Sequence, residues 1–265
     1  MHIKKWTLSD WIRYSTVAVC FVFSLVSLVI CSVQMASGKE WSTVYTCALC
    51  AVGCFAPEIG QKLMKFRIST PVYIGILLYI ITPIFGHSFE FYTRVVGWDK
   101  FMHTTGGVVF AMVGAYLPKL ITKKDDCSVL VCILCAFCFS ITISVLWEIY
   151  EYISDTFFGL DMQKDTYLSV FNSYFLGDSQ HSIDSTGNIT SVIIQTENGA
   201  IELSKYIDIG LHDTMLDIIV ESLGAAVYCI AYAIDKGKYT AFRYMPNLGK
   251  TPKTQPKNDE PTTLA

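Results

Sequence analysis

Long apolar runs separated by short charged segments make up most of the chain. Five runs contain no Asp, Glu, Lys or Arg: residues 14–38, 41–57, 68–86, 101–118 and 127–147. A helix needs roughly 20 residues to cross the ~30 Å hydrocarbon core of a bilayer. Two of the runs reach that length, and the other three have Trp, Tyr or Lys at their ends, where such residues anchor helices at the membrane surface. With residues 213–234 as a sixth stretch, the pattern predicts six transmembrane helices.

The predicted fold class is therefore all-α, a polytopic membrane protein with six transmembrane helices. These helices are expected to cover about residues 12–33, 41–57, 70–86, 101–118, 127–152 and 212–235. Pro57 is expected to end the second helix and Pro118 the fourth, because proline lacks the N–H group that a helix interior uses.

The distribution of positive charge predicts the orientation of these helices. Fifteen of the twenty Lys and Arg residues lie in the segments that would share one side of the membrane with the N-terminus. Cytoplasmic loops carry the excess of Lys and Arg in membrane proteins. We therefore expect both the N- and the C-terminus to be cytoplasmic.

Four regions follow from this topology. Residues 1–155 contain the first five transmembrane helices, residues 156–211 form an extracytoplasmic loop, residues 212–235 form the sixth helix, and residues 236–265 form a cytoplasmic tail. In the loop, NITSVIIQ and AIELS flank the turn signal Asn198-Gly199, which predicts a small β-hairpin. The tail is rich in Lys, Pro, Thr and Asn, a composition typical of disorder.

Composition agrees with a membrane location. The chain is 52% hydrophobic and 16% charged, whereas soluble domains carry about 25% charged residues. All ten cysteines lie in or beside the apolar runs and none lies in the long loop, so we expect no disulfides. The CxxC spacings within residues 47–54 and 132–138 are interpreted as helix packing or as a buried metal or redox site.

Acidic and histidine residues collect at one membrane face in the predicted topology. The fourth helix contributes Asp99 and His103, the fifth contributes Glu148, Glu151 and Asp155, and the sixth contributes Asp213, Asp217 and Glu221. Spacings of three and four residues place each set along one side of its helix. Small residues such as Gly107 and Gly224 accompany the sets and allow helices to approach closely. The sequence therefore predicts a pocket lined with carboxylate and imidazole groups.

Simpler roles exist for some of these residues. Asp99 and Asp213 each stand near a helix start, where a side-chain oxygen can cap free N–H groups. Glu151 could instead be solvated at the membrane surface, as could Asp155. Glu148, Asp217 and Glu221 lie within the helices, where charge is costly and indicates a functional site.

Crowded carboxylates need protons or a cation to relieve their repulsion. The cations nearest in sequence are Arg94 and Lys100. A mixed carboxylate and histidine set suits Zn²⁺, Mn²⁺ or Fe²⁺, whereas carboxylates alone suit Mg²⁺ or Ca²⁺. A divalent metal ion is thus the expected cofactor. The candidate metal ligands are His103, Asp99, Asp213 and Glu221, and the candidate catalytic residues are Glu148, Glu151 and Asp217.

Several motifs resemble those of the YjdF-type family of uncharacterised bacterial inner-membrane proteins. They are DKFMHxxG at 99–106, WEIYE at 147–151, DTMLD…GA at 213–225 and APEIGQKLMKFRISTP at 56–71. The resemblance covers roughly residues 40–160 and 205–235. It implies the bacterial cytoplasmic membrane and the residue set Asp99, His103, Glu148, Glu151, Asp213 and Asp217, but no reaction. A more distant similarity, through DKxxH and Asp217 to Ala225, is to the VanZ-like proteins, in which Asn usually stands at the position of Glu221.

Three functions are compatible with this pattern. The first is a metal-assisted hydrolase or transferase acting on a lipid-linked envelope substrate, in which a metal ion activates water or Glu148 acts as general base. The second is a non-catalytic membrane binding, sensor or immunity protein that uses the long loop. The third is a proton- or cation-coupled carrier that uses Asp217 and Glu221. Membrane lipids are the expected partners, and no nucleic acid is expected.

Overall fold

A computed structural model describes residues 7–35, 41–178, 182–238 and 241–245. Its helices are α1 (Leu8–Met35), α2 (Trp41–Gly53), α3 (Ala56–Met64), α4 (Thr70–Ser88), α5 (Phe91–Arg94), α6 (Trp98–Thr122), α7 (Val129–Phe158) and α8 (Leu211–Ile234). Five of them, α1, α4, α6, α7 and α8, are long and apolar enough to cross a membrane. The pair α2 and α3 makes a sixth candidate if its two bent halves count as one span.

Helices α1, α7 and α8 bury mainly small and polar residues and expose large apolar ones. In α1, Cys20 and Ser24 face the protein interior, while Val19 and Val29 are more than 60% exposed. This distribution is the reverse of that in a soluble protein, where large apolar side chains fill the core. Helices in lipid associate through small residues instead, so the exposed apolar faces fit a surrounding bilayer.

The second predicted helix differs from the observed one. It does not end at Pro57. Instead, α2 stops at Gly53, and Pro57 lies in the first turn of α3, at an angle of 41° to α2. Proline is tolerated in a first turn because that N–H has no partner inside the helix. Pro57 therefore begins a new helix in a segment where a loop was expected.

Pro118 does not end the fourth predicted helix either, because α6 continues to Thr122. Tyr116 and Lys119 are both buried on either side of the proline. Tertiary packing contributes most of the stability of helices in proteins, and here it holds the last turn in place.

Eight short strands accompany the helices in the described part of the chain. They are β1 (Phe66–Ile68), β2 (Thr166–Leu168), β3 (Asn172–Ser173), β4 (Asp184–Ser185), β5 (Val192–Thr196), β6 (Gly199–Leu203), β7 (Tyr206–Asp208) and β8 (Phe242–Tyr244). The antiparallel pairs are β1 with β8, β2 with β7, β3 with β4, and β5 with β6. The hairpin predicted in the long loop is β5–β6, with Thr196 opposite Gly199. Its turn is Glu197-Asn198, one residue earlier than the expected turn.

The predicted disordered tail contains one strand, which corrects that expectation for residues 241–245. Strand β8 pairs with β1 next to α3. The rings of Phe66, Tyr116 and Phe242 lie 5.1–5.7 Å apart, and all three residues are buried. The apolar contact of Phe242 compensates for the ordering of this part of the tail. Residues 239–240 and 246–265 of the predicted tail lie outside the described residues.

Helices α6, α7 and α8 pack closely on one another. A side chain added at Gly107 of α6 would collide with the backbone carbonyl of Glu221 in α8, and one at Gly224 with the carbonyl of Thr104. The Ser140 hydroxyl of α7 donates a hydrogen bond to the Gly107 carbonyl at 3.1 Å. These contacts fix the positions of the three helices relative to one another along their axes.

No disulfide joins any of the ten cysteines, all of which lie within the described residues.

Candidate metal centre

The first turns of α6 and α8 and the last turns of α7 lie at the same end of the bundle. The contact between Gly107 and Glu221 sets His103, one turn before Gly107, beside the acidic side of α8. Seven residues from the three helices form what we call the His103 cluster: Asp99, Lys100, His103, Glu148, Asp213, Asp217 and Glu221. The predicted convergence of carboxylates and histidine therefore occurs in the structure.

His103 lies between two pairs of carboxylates. Its Nε2 atom is 3.7 Å from Asp217 Oδ2 and 3.9 Å from Asp99 Oδ1. Its Nδ1 atom is 3.7 Å from Glu221 Oε2 and 3.9 Å from Glu148 Oε1. All four distances exceed the usual 2.7–3.2 Å of an N–H···O hydrogen bond. Each ring nitrogen therefore faces two carboxylate oxygens across a gap that a direct hydrogen bond does not bridge.

Several oxygens of the cluster are buried and have no hydrogen-bond partner among the described residues. They are both carboxylate oxygens of Glu148, Oδ2 of Asp217 and Oε1 of Glu221. The three residues are 4%, 1% and 3% exposed. A buried carboxylate without a partner is strongly destabilising unless a cation or a proton compensates it. These oxygens are thus available to a ligand.

Lys100 is the cation of the cluster. Its Nζ atom lies 2.5 Å from Asp213 Oδ1, 2.8 Å from Asp217 Oδ1 and 3.1 Å from Asp99 Oδ2. The sequence identified it only as a nearby positive charge and not as a site residue. The signal that could have found it is its place beside Asp99 at the start of a membrane helix, where an unneutralised lysine is uncommon.

Asp99, His103 and Asp217 form a group whose ligand atoms lie within 4.8 Å of one another. Two ligands bound to one ion at ~2.1 Å can be up to about 4.2 Å apart. The distances from His103 Nε2 to the two aspartates are within that limit. A cation of the Zn²⁺, Mn²⁺ or Fe²⁺ type fits this mixed nitrogen and oxygen set.

Asp99 and Asp213 do not cap their helices, which was the simpler role considered for each. Helix α6 begins after Gly97 and α8 after Gly210, so neither aspartate is the N-cap residue. In the first turn of α8, the backbone N–H of His212 donates a hydrogen bond to Asp208 Oδ2 at 2.6 Å. Asp99 is bonded to Lys100 instead. Asp213 accepts hydrogen bonds from Lys100 and, at 2.7 Å, from the backbone N–H of Lys164. Both aspartates thus belong to the cluster.

Glu151 and Asp155 have partners of their own. Glu151 is 7% exposed and accepts a hydrogen bond from Trp147 Nε1 at 2.7 Å, so it is not a solvated surface residue. Asp155 accepts hydrogen bonds from the backbone N–H groups of Met162 and Gln163 at 2.7 and 2.8 Å. Asp155 thus holds the backbone of the segment that follows α7 and is not one of the residues of the His103 cluster.

The segment after α7 covers the start of α8. Gln163 is buried and donates a hydrogen bond from Nε2 to Thr214 Oγ1. The ammonium group of Lys164 lies 5.3 Å from the centre of the Tyr92 ring in α5. Burial first, and then the charges of Asp99 and Glu151, raise the pKa of Tyr92. Tyr92 therefore stays protonated beside the cluster.

The cluster carries more negative than positive charge. Five carboxylates surround one lysine and one histidine. Even if His103 is protonated, ionisation of all five acids leaves three negative charges without a partner within the cluster. Because this group lies at the end of apolar helices, the imbalance favours the binding of cations.

A family described as "Predicted membrane protein (DUF2238)" matches residues 16–237. The chain belongs to this family. The prediction of a multi-pass membrane protein is thus confirmed by the family together with the five to six candidate spans. No curated protein and no solved structure matches the chain.

Proposed function

We propose that the protein is a metal-dependent hydrolase or transferase that acts on a lipid-linked substrate at the membrane surface. Asp99, His103 and Asp217 would hold a divalent cation. When bound, such an ion lowers the pKa of a coordinated water and supplies a nucleophile at neutral pH. The observation that carries the proposal is the gap of 3.7–3.9 Å between the histidine nitrogens and the four carboxylates that face them, three of which are buried.

Access to the cluster supports a membrane-surface substrate. Asp99 and Lys100 are the partly exposed members, with side chains 23% and 29% exposed. They lie in the first turn of α6, and Val96 just before this helix and Phe101 within it are exposed apolar residues. A substrate with an apolar tail and a polar head could therefore lie in the lipid and present its head at Asp99 and Lys100.

The packing beneath the cluster argues for an enzyme rather than a carrier. Below His103 and Glu221, the interface of α6, α7 and α8 is filled by small residues such as Ala111, Ala136 and Ala225. Gly107 and Gly224 bring α6 and α8 into backbone contact. A carrier needs a polar pathway to the other side of the membrane, and this closely packed interface offers little room for one.

The location of the substrate follows from the proposed orientation. With both termini cytoplasmic, the His103 cluster faces the outer side of a bacterial cytoplasmic membrane, where lipid-linked envelope precursors are processed. The DKFMH motif at 99–103 and the WEIYE motif at 147–151 support placing the chain with the YjdF-type proteins, and both motifs contribute to the cluster.

The proposal is tested by metal content and metal-dependent turnover of lipid. Full-length protein, purified in mild detergent, is expected to retain at least one equivalent of a divalent metal by elemental analysis. Asp217→Asn should lose most of it. Asp10→Asn is the matched control, because Asp10 pairs with Arg67 rather than with any member of the His103 cluster.

The wild-type protein is then placed in vesicles of bacterial polar lipid, and the lipid products are followed by mass spectrometry. We expect new products that a chelator abolishes and that Asp217→Asn fails to form. A metal-free wild-type protein, or metal-replete protein that leaves every lipid unchanged, would contradict the proposed function.

A further inference from the structure

We propose that Lys119 belongs to a separate binding site, which takes the phosphate group of an anionic phospholipid. Lys119 lies near the end of α6, about 20 residues after Asp99, which corresponds to roughly 30 Å along a helix axis. The site is therefore at the opposite end of the bundle from the His103 cluster, at the cytoplasmic face in the proposed orientation. It does not depend on the proposed metal chemistry.

Lys119 lines a small cleft between α6, α8 and strand β8. Other residues of its wall are Tyr116, Tyr228, Tyr232 and Phe242. Tyr116 and Phe242 are buried, and the ring centres of Tyr228 and Tyr232 are 5.9 Å apart. The cleft has a volume of about 10 Å³, roughly the space that one water molecule needs. A single phosphate oxygen therefore fits beside Lys119, while the rest of the headgroup stays at the mouth of the cleft.

The charge of Lys119 has no partner in the described part of the chain. The residue is 6% exposed, yet among residues 7–35, 41–178, 182–238 and 241–245 it forms no ion pair and donates no hydrogen bond. Removing an ammonium group from water is strongly unfavourable unless an acceptor replaces the water. The carbonyl groups in the last turn of α6 favour a lysine only weakly. An anionic ligand in the cleft would supply the acceptor that Lys119 lacks.

The elements around the cleft carry more positive than negative charge. Five exposed cations follow α6, follow α8 or lie in β8: Lys123, Lys124, Lys236, Lys238 and Arg243. The acidic residues of the same segments are Asp125, Asp126 and Asp235. None of the five cations forms an ion pair with another described residue. Basic pockets between transmembrane helices at the cytoplasmic side are typical sites for anionic lipid headgroups.

The apolar surface beside the cleft favours a lipid over free phosphate. Ile121 and Ile234, at the ends of α6 and α8, are each 77% exposed. Such side chains contact the acyl chains of a bilayer, so a phospholipid can place its tails against them and its phosphate at the cleft. Inorganic phosphate offers the same oxygens to Lys119 but gains nothing from the apolar side chains.

Lipid binding by the full-length protein tests this site. Protein purified in mild detergent is mixed with phosphatidylglycerol, with phosphatidylcholine or with inorganic phosphate. Native mass spectrometry counts the bound lipid, and thermal unfolding measures stabilisation. In the wild type we expect one phosphatidylglycerol to bind more tightly than phosphatidylcholine and to raise the unfolding temperature. Lys119→Met should weaken this binding roughly tenfold, and Lys124→Met, which removes an exposed charge of the same segment, should weaken it less.

Equal binding of the two lipids by the wild type, without any effect of inorganic phosphate, would overturn the site. Equal losses in Lys119→Met and Lys124→Met would overturn it as well, because surface charge alone would then explain the binding. Stabilisation by inorganic phosphate alone, lost in Lys119→Met, would support the phosphate site but overturn the lipid as its source. The comparison of ligands uses the wild type, so its outcome does not depend on whether Lys119→Met folds.

Discussion

Lys100 forms ion pairs with three carboxylates, and its positive charge partly compensates the negative charge on the Nε2 side of His103. Its ammonium group contacts Asp99, Asp213 and Asp217 at 2.5–3.1 Å. Asp213 receives a further hydrogen bond from the backbone of Lys164. The lysine therefore holds together the start of α6, the start of α8 and the segment that follows α7.

Replacement of Lys100 by Met should destabilise the metal-free protein. Asp213 and Asp217 would remain buried without their cation, and we expect a loss of about 3 kcal/mol in the free energy of unfolding, the lower end for a buried pair because the lysine side chain is 29% exposed. Saturating Mn²⁺ should reduce the loss, since the ion replaces the missing charge. Thermal unfolding with and without Mn²⁺ measures both effects.

Lys100→Arg keeps the charge and serves as the control, with a smaller change expected. If Lys100→Met unfolds at the wild-type temperature without metal, the lysine does not compensate the aspartates.

The sequence predicted the acidic members of the site but not their partners. Spacing alone placed Asp213, Asp217 and Glu221 on one side of a helix, because helical periodicity is local information. The contact of Lys100 with Asp213 joins residues far apart in the chain. It depends on how two helices are aligned, which no local pattern encodes.

Helices α6 and α8 owe their alignment to reciprocal contacts between small residues. Gly107 lies against the backbone of Glu221, and Gly224 against that of Thr104. Gly107 is one helical turn after His103, and Gly224 is one turn after Glu221. The close approach at Gly107 and Gly224 therefore positions the members of the His103 cluster on α6 and α8 relative to one another.

Gly107→Ala should weaken both folding and metal binding. The added methyl group would collide with the Glu221 carbonyl, so α8 must move, and overpacking of this kind costs roughly 1–3 kcal/mol. We expect a lower unfolding temperature and a higher dissociation constant for Mn²⁺.

Gly75→Ala is the matched control, since a methyl group there would contact nothing within 4 Å. Alanine is favoured over glycine within helices by roughly 0.5–1 kcal/mol, so this control should be neutral or slightly stabilising. Equal behaviour of the two variants would show that the close approach of α6 and α8 is not needed for the site.

Apolar runs predicted the existence of the long helices well but their ends less well. Both prolines were expected to end a helix, and neither does. Pro57 lies in the first turn of α3, whereas Pro118 lies inside α6. Both outcomes depend on tertiary packing around the proline. The strand Phe242–Tyr244 was missed because its partner, β1, is far away in sequence and both strands have only three residues.

The orientation of the whole molecule decides which compartment the His103 cluster faces. The charge asymmetry of the loops predicts that α5, the hairpin β5–β6 and the cluster are on the outer side. The hairpin turn at Asn198 and the loop at Lys124, which follows α6, would then lie on opposite sides of the membrane.

Labelling of introduced cysteines in intact cells tests this orientation. We expect a membrane-impermeant maleimide to label Asn198→Cys above the wild-type background, and Lys124→Cys only after the cells are opened. Labelling of Lys124→Cys but not Asn198→Cys in intact cells would reverse the topology and place the cluster at the cytoplasmic face.

The binding of a metal ion by His103 is the central claim, and pulsed electron paramagnetic resonance of bound Mn²⁺ tests it most directly. A histidine nitrogen bonded to Mn²⁺ gives a ¹⁴N modulation of the electron spin echo. We predict this modulation in the wild type and in the Asp10→Asn control, and its loss in His103→Gln. Bound Mn²⁺ without any ¹⁴N modulation in the wild type, or a modulation that persists in His103→Gln, would contradict the account.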